Sequence, residues 1–262
     1  MSAEIHRLKK RRQGLKKLDK LFDRSDISLV VHYSCESFYK RDDGTSSRIA
    51  SIAIRYLNSG EIRSFSIHHY AEKLGVNHQN MDKEYEKIEL ALLSDYFKFV
   101  TDHFSYNWAH WNMRNINYGF HALEHRYQVL GGEAKVIPDS RKVDFSAILQ
   151  DIYGVGYADK PVLANLCKMN HIDSDLFLPG AEEAEAFEKG EYMRLHQSTQ
   201  KKVDFISYVG ELALNDQLKT HTSFWAKNGV YPKIIVETIR GHWIFSILLM
   251  IGVMISLGRL FF

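Results

Sequence analysis

A chain of 262 residues, 45% hydrophobic and 25% charged, is long enough for one large domain, or one domain with appendages. Its net charge of +2 is unevenly spread: residues 1–24 carry nine Lys/Arg against three Asp/Glu, which leaves a mildly acidic body. That body argues against a nucleic-acid surface spread over the whole fold. Two cysteines, Cys35 and Cys167, exclude a disulfide framework, lack zinc-ligand spacing and suit a reducing compartment.

The first 24 residues have no apolar core and so no secretory signal. They read as a basic amphipathic helix, with Ile5, Leu8, Leu15, Leu18 and Phe22 near one stripe that Arg11 and Arg12 interrupt. Packing by the leucines, nucleic-acid contact and membrane-surface contact are all compatible with this pattern. Three strand-like segments follow. "ISLVVHYS" (27–34) is rich in β-branched residues, while "RIASIAIRYL" (48–57) and "IRSFSIHH" (62–69) alternate with period two. Turn chemistry in "RDDGTSS" and "NSGE" joins them into an antiparallel meander.

A helix is expected over 82–103, where Tyr85, Ile88, Leu92, Leu93, Tyr96, Phe97 and Val100 form one stripe. "YNWAH" (106–110) reads as a buried strand, "NYGFHALEHRYQVL" as a helix stopped by Gly131-Gly132, and "EAKVI" as a short strand before Pro138. Helices follow from Asp144, from Lys160 and over a long segment from 181 to 215. The expected fold class is α/β, a mixed five-stranded sheet covered by helices.

"HWIFSILLMIGVMISLGRLFF" (242–262) carries no charge between Trp243 and Gly258. Twenty helical residues rise about 30 Å, the thickness of a hydrocarbon core. Trp243 suits one interface, Arg259 can snorkel to the other, and Lys227, Lys233 and Arg240 put the body on the cytoplasmic side. The expectation is a single-pass inner-membrane anchor, with anionic lipid headgroups as the charged partner of the N-terminal arm. The organisation is then 1–24 basic helix, 25–215 α/β domain, 216–241 connector and 242–262 transmembrane anchor.

Among candidate motifs, His121-Ala122-Leu123-Glu124-His125 matches the short inverted zinc-protease pattern, without an obvious third ligand. His32, His68 and His69 read as satisfied, non-ligating histidines, the last two able to face the same edge as Glu36. No glycine-rich phosphate loop is present. The segment "WAHWNMRNINYGF" crowds Trp108, Trp111, Arg114, Asn115, Asn117 and Tyr118 at a strand end, where ligands sit in open α/β sheets. Aromatic faces with an arginine suit a base or nucleotide.

The order of elements, and Ser34-Cys35-Glu36-Ser37 at the end of the first strand, resemble the ribonuclease-H-like superfamily and within it the proofreading-type 3′–5′ exonucleases. That family has D-x-E-T/S at this point. Over residues 27–215 the resemblance extends through "AHWNMRNINYGFHALEHRYQVLGG", "KVDFSAILQDIYG" and "KPVLANLCKMNHI", with Asp204 in a late helix where the family keeps its last metal carboxylate. It implies four carboxylates around two ions, Mg2+ or Mn2+, that clamp a phosphodiester. The chain departs from it: Ser34 replaces the first Asp, the second falls on Asn115 or Gly119, and the catalytic His or Tyr falls on Thr199 or Gln200. Glu36 and Asp204 remain as catalytic and metal candidates, with Asp144 a third metal candidate, and Ser34, Trp108, His110, Trp111, Arg114, Asn115 and Tyr118 would line a ligand site. The expected function is a membrane-anchored, catalytically degenerate domain that binds single-stranded nucleic acid or nucleotide and needs no cofactor. An active metal-dependent exonuclease and a membrane scaffold or defence effector are the alternatives.

Overall fold

In a computed structural model, residues 3–36, 46–114, 118–223, 226–227, 247, 248, 250, 251 and 253 are described. The first strand, β1 (Ser28–Cys35), is buried along its whole length, as its β-branched and aromatic sequence requires of a strand covered on both faces. It pairs antiparallel with β2 (Ile49–Tyr56), which pairs antiparallel with β3 (Ile62–Ser66). On the other side β1 runs parallel to β4 (Asn107–His110), which runs parallel to β5 (Lys142–Asp144). The five-stranded sheet therefore has the order β3-β2-β1-β4-β5. This is the mixed α/β sheet that the sequence pattern implies.

The alternation of side chains along β1 divides the interior in two. Leu29, Val31, Tyr33 and Cys35 face one core, built with α2 (Ile67–Lys73), α3 (Tyr85–Asp102), α4 (Phe120–Val129) and α7 (Gly180–Glu188). Val30 faces the other, built with α1 (Ala3–Asp23), α5 (Phe145–Tyr153), α6 (Val162–Met169) and α8 (Tyr192–Leu214).

Three boundaries differ from the sequence pattern. The third strand stops at Ser66, and Ile67 opens α2, so His68 and His69 lie on a helix. "EAKVI" forms no strand: Ile137 is buried in the first core, but the sheet's last strand is Lys142–Asp144. Those three residues end on Asp144, whose carboxylate accepts the Ala147 N–H at 3.1 Å and caps α5. The long segment 181–215 is two helices, broken at Gly190, where φ is +69°.

The N-terminal helix is docked. Leu18 and Leu21 are buried, and Arg7 and Arg11 donate to the Tyr153 and Ile152 carbonyls at the end of α5, at 2.7 and 3.2 Å. Two of the basic residues thus cap a neighbouring helix. Gly14 permits the close approach: a Cβ there would lie 2.8 Å from Ile152 Cγ1 and 3.1 Å from the Ile148 carbonyl oxygen.

Among the described residues no helix is long and apolar enough to cross a membrane. The expected anchor, 242–262, falls almost wholly outside them, with Ile247, Leu248, Met250, Ile251 and Val253 described as exposed.

Candidate functional site

Strand β1 delivers Ser34, Cys35 and Glu36 to one edge of the sheet, and α8 crosses that face in the opposite direction. The Ser34 hydroxyl lies 2.9 Å from the Thr199 hydroxyl, both groups fully shielded. The places that the exonuclease resemblance assigns to an aspartate and to a catalytic side chain thus hold a neutral hydrogen-bonded pair. Gln200, the other position for that side chain, donates to the Ser64 hydroxyl at 3.2 Å.

The two carboxylates singled out by the sequence are not brought together. Glu36 accepts two hydrogen bonds from the Arg48 guanidinium, at 3.1 and 3.2 Å, and Asp204 lies 3.5 Å from Arg55 Nε. Arg48 and Arg55 flank the two ends of β2, and seven extended residues span about 23 Å. Asp204 is 46% exposed; burial of the rest pushes its carboxyl above the ordinary range, against the pull of Arg55 and Lys201. Asp144 is ion-paired with Arg114 while it caps α5, and accepts the Asn112 N–H at 3.4 Å. Each of the three expected metal ligands therefore already faces an arginine.

Two divalent ions about 4 Å apart need several convergent anionic ligands to offset their repulsion. Among the described residues no three His, Cys, Asp or Glu side chains form a group that could hold a metal ion. Glu36, Asp204 and Asp144, held apart by their arginines, do not fit the two-ion arrangement.

The remaining sequence candidates divide. His110 sits opposite Asp144 in the β4–β5 ladder and accepts the Met113 N–H at Nδ1, 3.1 Å away. Burial pulls its pKa down to about 4; Asp144 opposes this and Arg114 adds to it. Trp111 packs partly buried against the second core, and Arg114 is exposed. Trp108 is fully buried in the first core and donates to the His103 carbonyl at 3.3 Å, so it lines no surface. Asn115, Asn117 and Ser37 lie outside the described residues. Gly119 donates its N–H to the Tyr33 hydroxyl at 2.9 Å. Of the zinc-like motif, His121 contacts Glu124 at 3.2 Å and His125 is exposed.

Tyr118 does reach the edge of β1. Its ring stacks on Tyr33 with centroids 4.6 Å apart, and its hydroxyl donates to the Tyr33 carbonyl at 3.2 Å and lies 3.4 Å from His32 Nδ1. Next to this group the structure adds two residues that the sequence reading missed. Lys202, 5% exposed, holds the Glu183 carboxylate at 2.7 Å and points over the Phe177 ring, 5.1 Å from its centroid. Burial lowers the Lys202 pKa, with Glu183 opposing. Burial, then Lys202, pulls the His32 pKa well below the ordinary imidazole value. The signal for Lys202 was available: it lies seven residues after Leu195 and one before Val203, on the apolar stripe of α8. Glu183, one of two acids in the first turn of α7, gave none.

Comparison of the chain with protein-family models, curated proteins and solved structures finds no match.

Proposed function

We propose that this chain is a ribonuclease-H-like domain, of proofreading-exonuclease type, that has exchanged metal chemistry for ligand binding. The ligand class is single-stranded nucleic acid or nucleotide, and residues 242–262 tether the domain to the cytoplasmic face of the inner membrane. Support for the fold comes from element order and strand direction: an antiparallel meander, then two parallel strands, each entered through helix. That is the order the resemblance implies.

The observation that carries the loss of metal chemistry is the guanidinium beside each candidate carboxylate: Arg48 at Glu36, Arg55 at Asp204 and Arg114 at Asp144. A fixed cation offsets the charge that a divalent ion would otherwise offset. The exposed Arg114 and the half-buried Trp111 and Tyr118 stay at the strand ends, where an aromatic face and a cation suit a base and its phosphate.

The test uses the full-length chain in a mild detergent, with end-labelled single strands, duplexes and mononucleotides, each with Mg2+ or Mn2+. Thermal stabilisation by single strands or mononucleotides without loss of label supports the reading. Loss of label that Glu36→Gln or Asp204→Asn abolishes overturns it in favour of an active exonuclease. Absence of both stabilisation and label loss overturns it in favour of a scaffold. Removal of 242–262 releases the chain to the soluble fraction if that segment is the sole anchor; retention in membranes sinks that part.

A further inference from the structure

We propose that Lys202 and His32 form a receptor for a phosphate group carried next to a hydroxyl or amino donor, as in a nucleotide, and that Glu183 occupies it as an internal competitor. The inference rests on the reading above and names the chemistry its ligand must have.

Geometry places the two residues on one face. Helix α8 runs opposite to β1: Ser34 meets Thr199, and Arg55, which pairs with Val30 in the ladder, meets Asp204. Between those contacts fall His32 on the strand and Lys202 on the helix. Both are more than nine-tenths buried, and they belong to neither arginine-blocked carboxylate.

The hydrogen-bond pattern favours one His32 tautomer. The Tyr118 hydroxyl donates to the Tyr33 carbonyl at 3.2 Å, which suits a hydrogen on Nδ1 in the 3.4 Å contact between His32 and Tyr118. Burial keeps the ring neutral. Its Nε2 is then a bare acceptor, and it has no partner. A buried acceptor without a donor is uncommon in folded chains. A ligand hydroxyl or amino group would supply that donor.

Lys202 supplies the other half. Its ammonium lies under α7, over the Phe177 ring, with the Glu183 carboxylate 2.7 Å away. A carboxylate and a phosphate oxygen make the same charge-assisted bond to an ammonium. Glu183 sits in the first turn of α7, which Ala186 and Phe187 anchor in the first core, so its side chain can turn away without undocking the helix. The two requirements together, an anion for Lys202 and a donor for His32, select a phosphorylated sugar or nucleotide over a free nucleoside, and inorganic phosphate, which carries its own hydroxyl, is the minimal probe of the same chemistry.

The experiment measures binding of adenosine 5′-monophosphate, adenosine, inorganic phosphate and a 5′-phosphorylated trinucleotide to the full-length chain in mild detergent. Variants are Glu183→Gln and Lys202→Met, and thermal unfolding is followed alongside calorimetry. Glu183→Gln is expected to bind adenosine 5′-monophosphate at least tenfold more tightly than the parent chain, and to gain more in Tm from it. Adenosine gives neither effect, and comparison of the mononucleotide with the trinucleotide separates a free nucleotide from a nucleic-acid end. Lys202→Met, if folded, binds at least tenfold more weakly than the parent chain. Equal binding by the parent and Glu183→Gln overturns the inference, even if the parent still binds single strands and the broader reading stands. If no form of the chain binds any of the four, or any single strand, both fall.

Discussion

The Ser34 hydroxyl donates to the Thr199 hydroxyl at 2.9 Å, because the one Thr199 proton is spent on the Leu195 carbonyl at 2.8 Å. A relay of two hydroxyls and a helix carbonyl thus stitches the end of β1 to α8, in the place where the family resemblance expects charge.

Ser34→Ala breaks this relay without leaving an unmatched donor and is expected to lower stability by about 1 kcal/mol. Ser34→Asp forces a carboxylate into the same dry site and is expected to cost about 3 kcal/mol or more. Urea denaturation with and without Mg2+ checks both. Recovery of Ser34→Asp by Mg2+ would mean that other metal ligands converge there after all.

The buried pair on the far side of the sheet sets a larger stake. Glu89, with no exposed surface, accepts from Arg126 at 3.0 and 2.6 Å and from the Ile49 N–H at 2.6 Å. It ties α3 and α4 to the start of β2. Glu89→Leu or Arg126→Met alone leaves an unpaired buried charge and is expected to cost about 3–5 kcal/mol. Glu89→Leu combined with Arg126→Met is expected to cost less than the sum of the two changes, as a double-mutant cycle in denaturant measures. Additive costs would show that the pair is not energetically coupled.

Much of the fold was legible because periodicity reports burial. The alternation in 48–57 and the stripe from Tyr85 to Val100 both became the elements they imply, within a few residues. "EAKVI" misled because Ile137 is buried without belonging to the ladder: apolar alternation reports a dry face and says nothing of hydrogen-bond partners. The site was less legible. Glu36 and Asp204 each lie where the resemblance puts them in sequence, yet the partner of each is an arginine on β2 or just before it. Which side chains meet across a sheet depends on register, and no local pattern encodes the Arg48–Glu36 or Arg55–Asp204 contact. Lys202 was the exception, a cation on an apolar helix stripe that burial alone would have flagged.

Acid is expected to destabilise the fold through its buried imidazoles. His196 bridges two strands, with Nδ1 2.8 Å from the Ser51 hydroxyl and Nε2 3.3 Å from that of Ser64. Burial, then His68 and His69, pulls its pKa down to about 4. The unfolded imidazole, with its ordinary value of about 6.5, binds a proton first. Stability from this group is therefore complete above about pH 6.5 and lost as pH falls toward about 4. Between pH 7 and pH 5 His196 alone is expected to contribute about 1–2 kcal/mol of loss. Thermal unfolding against pH checks the slope. His196→Gln should flatten it; an unchanged slope would assign the acid sensitivity to His110 and His32 instead.

The docked N-terminal helix divides its charges by face, and that division makes the lipid expectation testable. Arg7 and Arg11 cap α5, whereas Lys9, Lys10 and Lys16 are exposed. Lys9, Lys10 and Lys16, with the exposed Arg12, Lys17, Lys20 and Arg24, are placed to meet an anionic surface, where each basic residue is worth about 1 kcal/mol. Combining Lys9→Glu, Lys10→Glu and Lys16→Glu in a chain lacking 242–262 is expected to cut co-sedimentation with phosphatidylserine vesicles at least a hundredfold at low salt. Tm should move by less than about 0.5 kcal/mol equivalent, since these side chains lie on the surface. Arg7→Ala should do the reverse: it leaves vesicle binding intact and lowers Tm, because the Tyr153 carbonyl loses one of its two donors and keeps only the Thr222 hydroxyl at 2.8 Å. If the triple reversal leaves vesicle binding unchanged, the arm is a packing helix alone and its outward charge serves solubility.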